Sequence, residues 1–386
     1  MVFLKKVKLF LHPLNTLFFS VNEYTMKTLF LLLPVVYLAG NGYLYYRLLQ
    51  TMSCLPVWSK ILLSVVYWIV AFSLFISIGL RDTDLPHGLL RALFAVGSVW
   101  LVFLLYAVML LIVADIVKHF FPAMGNPLWY VLPLTTAILL YGYVNYKHPK
   151  IEQIKIATPY DLGGKTLRAV VVSDVHLGYG TGVASLKKYV QMINAQKPDV
   201  VLIVGDLIDN SITPLLNQPF DQVLSEIQAP RGIYMVPGNH EYISDIDRVK
   251  AYLDRTPITL LQDSVVTLPE GIQIVGRDDL HNKRRLPLDQ LLARTDSERP
   301  TIVLDHQPYH LHKADALGVD VMLCGHTHRG QIFPLNLLVD QLYEQSHGYR
   351  KWSHSHIWVS SGLSLWGPTF RIGTNSELAV IEISGV

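Results

Sequence analysis

Charge is what the first part of this 386-residue chain lacks. Between Thr28 and Tyr146 only eight charged residues occur: Arg47, Lys60, Arg81, Asp82, Asp84, Arg91, Asp115 and Lys118. A soluble domain carries about a quarter of its residues as charges, so this stretch is read as membrane-embedded. Cysteine is nearly as scarce. Cys54 and Cys324 fall in different halves, which argues against a disulfide framework and excludes a cysteine-cluster metal site. Cys324, inside an apparent strand, reads as a small buried hydrophobe. A broad excess of positive charge is missing too. Up to Tyr146 there are 9 Lys+Arg against 4 Asp+Glu, or +5; from Lys147 there are 23 against 26, or −3. Neither half suits a nucleic-acid partner.

What the front does contain is apolar runs. Residues 1–27 mix basic and apolar residues, but Pro13 and Asn15 interrupt the run, so an interfacial segment is expected rather than a cleaved signal. Across residues 28–146, four runs come near the roughly 20 residues that cross a bilayer as helix: Thr28–Tyr46, Ile61–Leu80, Ala92–Val117 and Leu128–Tyr146. Tyr and Trp crowd their ends, as an aromatic belt would. Asp115 reads as an interfacial acid beside Lys118 and His119, with an intramembrane functional role as the alternative. Four spans put both termini on one side, with Lys5, Lys6, Lys8, Lys27, Arg81, Arg91, Lys147, Lys150 and Lys155. Basic residues favour the cytoplasm, so the second half is expected there; three or five spans would reverse this.

After a linker and edge strand at 147–166, residues 167–386 alternate short strands with helical stretches, as βαβ units do. Strands are expected at Ile151–Ile156, Leu167–Ser173, Asp199–Val204, Ile233–Val236, Ile258–Leu261, Ile272–Val275, Ile302–Asp305, Val319–Leu323, His356–Val359 and Leu378–Ile383, with helices at Val183–Ala195 and Phe220–Gln228.

Five of these strands end in chemistry. Val170–Val172 runs into Asp174-x-His176, and later strands run into Gly205-Asp206-x-x-Asp209, Gly238-Asn239-His240-Glu241, Asp305-His306 and Gly325-His326-Thr327-His328. Side chains at i and i+2 of a strand share a side, so Asp174 and His176 can reach one point. In an open α/β sheet, ligands gather beyond the carboxyl ends of strands. Mixed Asp, His and Asn donors without thiolates suit Mn²⁺, Fe or Zn²⁺ rather than an all-oxygen Ca²⁺ site. Seven donors are too many for one ion and fit two ions sharing a carboxylate. Such a pair clamps the attacking and leaving oxygens of a displacement at phosphorus, with a hydroxide between the ions as nucleophile.

This motif set resembles the calcineurin-like metallophosphoesterase superfamily over about residues 165–385, and in detail its membrane-associated bacterial branch, whose last motif continues as GHTHxGQ. The resemblance implies an α-helical transmembrane region followed by an α/β four-layer domain with a two-sheet sandwich core. It implies that Asp174, His176 and His328 hold a first metal, that Asn239, His306 and His326 hold a second, and that Asp206 bridges them. His240 would stabilise the transition state or protonate the leaving oxygen, with Asp209 and Glu241 in support. Arg329 stands where that branch has Gly. It reads either as a phosphate contact or as a solvated surface residue. The run Arg277–Arg285 reads as a solvated charged loop, with an anion-binding role as the alternative.

The stretch Ile332–Tyr343 is apolar for a segment so close to these motifs. It is either a packed part of the core or a surface whose Phe333, Leu335, Leu337 and Leu338 meet the bilayer or an acyl chain. The expected activity is hydrolysis of a phosphodiester or pyrophosphate bond in a lipid-linked or membrane-proximal substrate, at a bacterial cell membrane. A phosphomonoesterase or protein phosphatase, and a non-catalytic scaffold or sensor, are the alternatives.

Overall fold

The computed structural model describes residues 23–385 except 81, 82 and 84, with side chains from residue 32 onward except at 87. The expected interfacial segment falls outside the described residues as far as residue 22. Four helices come first: α1 (Glu23–Thr51), α2 (Val57–Gly79), α3 (His87–Phe120) and α4 (Leu128–Tyr146). Among the described residues, α2, α4 and residues 88–120 of α3 are long and apolar enough to cross a membrane. The expected first span lies within α1, whose early side chains are outside the described set.

The helices run up and down. Tyr37 of α1 donates to Ala71 O of α2, and Tyr67 of α2 donates to Asn41 O of α1. Asn41 is fully buried, yet its side-chain oxygen accepts Trp100 Nε1 of α3 at 3.0 Å and its amide donates to Tyr37 O. A buried amide is tolerated when its bonds are made. Asp115 of α3 accepts from Tyr43 and pairs with Arg47 of α1 at 2.8 Å. It therefore ties two helices together.

From Lys147 the chain folds into two sheets. The strands are β1 (Lys150–Ala157), β2 (Thr166–Val172), β3 (Val200–Val204), β4 (Ile233–Val236), β5 (Ile258–Leu260), β6 (Ser264–Thr267), β7 (Gln273–Gly276), β8 (Thr301–Leu304), β9 (Val321–Cys324), β10 (Gly348–Lys351), β11 (His356–Val359) and β12 (Glu377–Ser384). One sheet has the order β1-β12-β2-β3-β4-β5 and the other β10-β11-β9-β8-β7-β6. Both are mixed. The helices are α5 (Val183–Ala195), α6 (Thr213–Leu216), α7 (Phe220–Leu224), α8 (Asn239–Ile243), α9 (Ile246–Leu253), α10 (Leu288–Leu292), α11 (Leu311–Ala316) and α12 (Leu335–Leu342).

Why these strands are nearly all-apolar follows from burial on both faces. In β2 and β3, Val171 and Leu202 enter the layer between the sheets, while Val170, Val201 and Ile203 face the helices. Helix α5 supplies Leu186, Tyr189, Val190 and Ile193 to that outer layer, at the spacing of one helical face. On the far side, α10 and α11 cover the second sheet through Leu288, Leu291, Leu311 and Ala314. The result is helix, sheet, sheet, helix, as the resemblance implied.

Some expectations shift. Strands β6 and β10 and helices α6, α8, α9, α10 and α11 are additions to the expected elements. The helix expected over Phe220–Gln228 ends at Leu224. There Ser225 Oγ donates back to Asp221 O at 2.8 Å and Gln228 N turns to Asn194 Oδ1, which competes with helical bonding. The Arg277–Arg285 run is not a wholly solvated loop. Its two end arginines are drawn inward by buried Asp305, at 2.6 and 2.5 Å. The cysteines are free, Cys54 exposed and Cys324 buried.

Candidate metal centre

The carboxyl ends of β2, β3 and β4 in one sheet meet those of β8 and β9 in the other. Asp174 and His176 follow β2, Asp206 follows β3, Asn239 and His240 follow β4, His306 follows β8, and His326 and His328 follow β9. Asp174, His176 and His328 offer ligand atoms within 4.8 Å of one another, and so do Asp206, His306 and His326. His326 Nδ1 lies 2.9 Å from Asn239 Oδ1, which brings Asn239 to the second group. Asp206 Oδ2 is 3.8 Å from His176 Nε2 and 3.1 Å from His306 Nε2, between the two groups.

The donors are aimed at one another rather than paired. His306 Nδ1 meets Val204 O at 2.7 Å, which aims Nε2 into the site. Nε2 is buried, has no hydrogen-bond partner and faces an Asp206 oxygen. Burial alone would lower the imidazole's pKa, but the Asp206 charge outweighs it and raises the pKa well above its usual range. His176 Nε2 and His328 Nε2 sit 3.1 Å apart. Imidazole nitrogens and carboxylate oxygens gathered this closely out of water are the donors a divalent cation needs, so the residues present fit a pair of such ions. Burial, with His306 and His176 respectively next in effect, pushes the imidazoles of His326 and His328 down, His326 to about 3. Both are neutral, as ligands must be.

The backbone is strained at the same residues. Asp174, His176, Asp206, His326 and His328 have φ between 46° and 71°, a region costing non-glycine residues roughly 1–2 kcal/mol each. Strain of this kind persists where the surroundings over-determine it, and it clusters at active sites. Amide bonds hold it: His326 N donates to both Asp174 oxygens at 3.1 Å, and His240 N to Asp206 Oδ1 at 2.9 Å. Gly238 is required by proximity, since a Cβ there would lie 2.2 Å from Asp206 Oδ1.

The supporting acids have defined tasks. Glu241 is fully buried and accepts the amides of Asp206, Ile208 and Gly238 at 2.9, 2.9 and 2.7 Å. It fixes the loop that carries Asp206. Asp209 Oδ1 lies 3.3 Å from His240 Nδ1 and 3.6 Å from His176 Nδ1. Burial alone would lower the His240 pKa, but the carboxylates of Asp206, Asp209 and Glu241 outweigh it and raise it to about 9. With Nδ1 turned to Asp209, the other ring nitrogen is left for the site. Arg329 turns toward Asp340 of α12 at 3.7 Å.

One residue carried no sequence signal. Arg371 is fully buried, and its guanidinium donates to His328 O at 2.8 Å, to Gly362 O and Ser364 O at 3.1 Å, and to Ser361 O. Burial lowers its pKa to about 10, so it stays charged. Its own amide donates to Gly142 O of α4 at 2.9 Å, and Asn145 Nδ2 donates to its carbonyl at 3.0 Å. The fourth helix is thereby stapled to the loop behind His328. No short motif marks Arg371, because its partners are backbone carbonyls, three in the turn 361–364 and one at His328.

Residues 167–330 match the calcineurin-like phosphoesterase family. A Campylobacter jejuni metallophosphoesterase is 33% identical over 262 residues, 66% of this chain and 69% of that protein. A zebrafish transmembrane protein with a metallophosphoesterase domain is 33% identical over 272 residues, 65% of this chain and 61% of its own length. The chain spans 65% of the length of two Helicobacter pylori metallophosphoesterases, at 33% and 34% identity over 62% of this chain. Among solved structures, a 5'-nucleotidase precursor from Thermus thermophilus aligns over 56% of this chain and 55% of its own, at 16% identity and a TM-score of 0.35.

Proposed function

Since the chain belongs to the calcineurin-like metallophosphoesterase family, we propose that this metal-dependent phosphoesterase is membrane-anchored and cleaves a phosphodiester or pyrophosphate bond in a lipid-linked or membrane-proximal substrate. The observation that carries the reading is the convergence of Asp174, His176 and His328, and of Asp206, His306 and His326, between the ends of β2, β3, β8 and β9, with His306 Nε2 buried and unpartnered against Asp206. Asp174, His176 and His328 would hold one ion, Asn239, His306 and His326 the other, and Asp206 both. Two divalent ions there, Mn²⁺, Fe or Zn²⁺, would supply Lewis acidity at phosphorus and an activated water at neutral pH.

The chain's own residues complete the reaction. Protonated His240, held by Asp209, gives its proton to the leaving oxygen. Arg329, next to His328, offers a guanidinium to the phosphate by exchanging its bond to Asp340. The lipid part of the reading rests on the site's surroundings. Ser77 and Ile78 of α2 and Phe94 of α3 border one small cavity with Gly178, Asp209 and Asn210. Asp209 touches His240, so the helix ends stand beside the proton donor. We place the protein in a bacterial cell membrane with its catalytic part on the cytoplasmic side, on the four-helix course and the basic residues of that side. A scaffold without turnover is disfavoured by the backbone strain it would carry for no use.

The test is hydrolysis of bis(p-nitrophenyl) phosphate against the monoester by the full chain, with Mn²⁺ and after chelation. Turnover that needs Mn²⁺ and is lost in Asp206→Ala supports the two-ion reading. A preference for the monoester would select the phosphomonoesterase alternative. Unchanged activity after chelation would refute the metal role.

A further inference from the structure

The spanning helices α3 and α4 do more than lead into the catalytic part: they touch it well along their lengths. Tyr106 of α3 donates to Phe333 O at 2.6 Å, and with Val102 of α3 and Leu139 of α4 it shares an apolar cluster with Ile332, Phe370 and Ile372. Gly142 of α4 is so close that a Cβ there would lie 2.5 Å from Ile372 Cγ1. Tyr106 stands 14 residues before the far end of α3 at Phe120, and Gly142 stands 14 residues after the far end of α4 at Leu128. At 1.5 Å per residue, both place this contact about 21 Å from the far ends of the helices. The hydrocarbon core is about 30 Å thick. Even with α3 and α4 set as far outward as their length allows, the contact therefore lies below the near head groups.

What surrounds the contact is apolar and uncovered. Phe333 is 42% exposed, and Leu335, Leu337 and Leu338 of α12 are 45%, 52% and 45% exposed, although α12 is a helix of the catalytic part. Trp366 is 49% exposed, and its ring centroid is 6.4 Å from that of His240. A monomer rarely leaves such a patch to water. A short amphipathic helix of this kind settles into the boundary of head groups and acyl chains, and tryptophan favours that level.

We propose that α12, with Phe333 before it and Trp366 beside the metal pocket, is embedded in the near leaflet of the bilayer. The mouth of the pocket then opens at the level of the head groups, where a phosphoester carried by a lipid meets His240 without leaving the membrane. This deepens the proposed function and rests on its reading of α3 and α4 as spanning helices. The continuity of the patch with those helices selects lipid as its occupant.

The experiment uses the full chain with Cys54→Ser, in nanodiscs of phosphatidylethanolamine and phosphatidylglycerol. Nitroxide is attached at Leu337→Cys or Leu338→Cys, and collision with oxygen is compared with collision with a water-soluble nickel chelate. Leu134→Cys on the exposed face of α4 reports the spanning helix, and Lys188→Cys on exposed α5 reports water. The expected oxygen-to-nickel ratio at 337 and 338 is several-fold above that at 188 and close to that at 134. Ratios at 337 and 338 matching 188, with 134 still in lipid, overturn the inference and leave the spanning helices standing. A water-like ratio at 134 as well overturns both. Labelled protein that melts with the unlabelled one excludes misfolding, and Leu335→Cys serves as the replacement site if one position perturbs the fold.

Discussion

Replacing Arg371 by Met tests whether the loop behind His328 is held by one buried cation. Methionine keeps the length and apolar stem and removes every donor. Four carbonyls lose a guanidinium donor: His328 O keeps the Gln331 amide and Gly362 O the Glu377 amide, while Ser361 O and Ser364 O are left without one among buried residues. Each unsatisfied buried acceptor costs about 1–3 kcal/mol, but they share one donor group and do not add. Breaking a buried charged network by removing one partner costs about 3–5 kcal/mol, and that is the expected loss. In detergent, the melting temperature followed by tryptophan fluorescence should fall by roughly 10 °C. Because Gly362 packs against both Asp174 and His328, Mn²⁺ affinity measured calorimetrically should fall about 10–100-fold, as for other residues that orient metal ligands. Arg371→Lys should fall between, since an ammonium donates three bonds but cannot span the fork. A Met variant that melts with the wild type and binds Mn²⁺ as tightly would refute the reasoning.

Two further outcomes follow from the same geometry. Asp209→Asn removes a carboxylate that raises the His240 pKa. The pH above which activity falls should therefore move down, and substrates with poor leaving groups should lose more kcat than nitrophenyl esters; an equal loss on both would count against His240 as proton donor. Gly238→Ala drives a methyl into Asp206 Oδ1, so the folded protein should bind less than two Mn²⁺ per chain by elemental analysis, at a stability cost of about 1–3 kcal/mol. Full metal loading in that variant would show that Asp206 has room to move.

The metal-site residues are legible in the sequence because each sits in a short motif that closes an apolar strand. Strand ends in one sheet are neighbours, so the local pattern implies a shared place within each sheet, while the packing of the two sheets brings the two sets of ends together. Asp209 is legible only in part: its spacing from Asp206 is visible, but its contact with His240 is made between a loop and the start of α8. Helix α12 shows the opposite limit. Its apolar residues suit a packed core or a membrane surface equally, because hydrophobicity reports a preference for leaving water and not where the chain goes to do so. The arginines at the ends of the Arg277–Arg285 run read as solvated for a related reason. Nothing local announces that Asp305, 20 residues or more away, will bury them.

By itself the sequence determined the contrast between an apolar front and a charged back, the alternation of strands and helices, and the candidate donor set, all of which depend on residues near one another in the chain. The tertiary structure alone decided which carbonyls Arg371 would hold, how far along α3 and α4 the two-sheet part docks, and that five of the candidate ligand residues sit in strained backbone. Those are properties of surfaces meeting at long range, fixed by packing and by the pairing of buried polar groups rather than by any local preference.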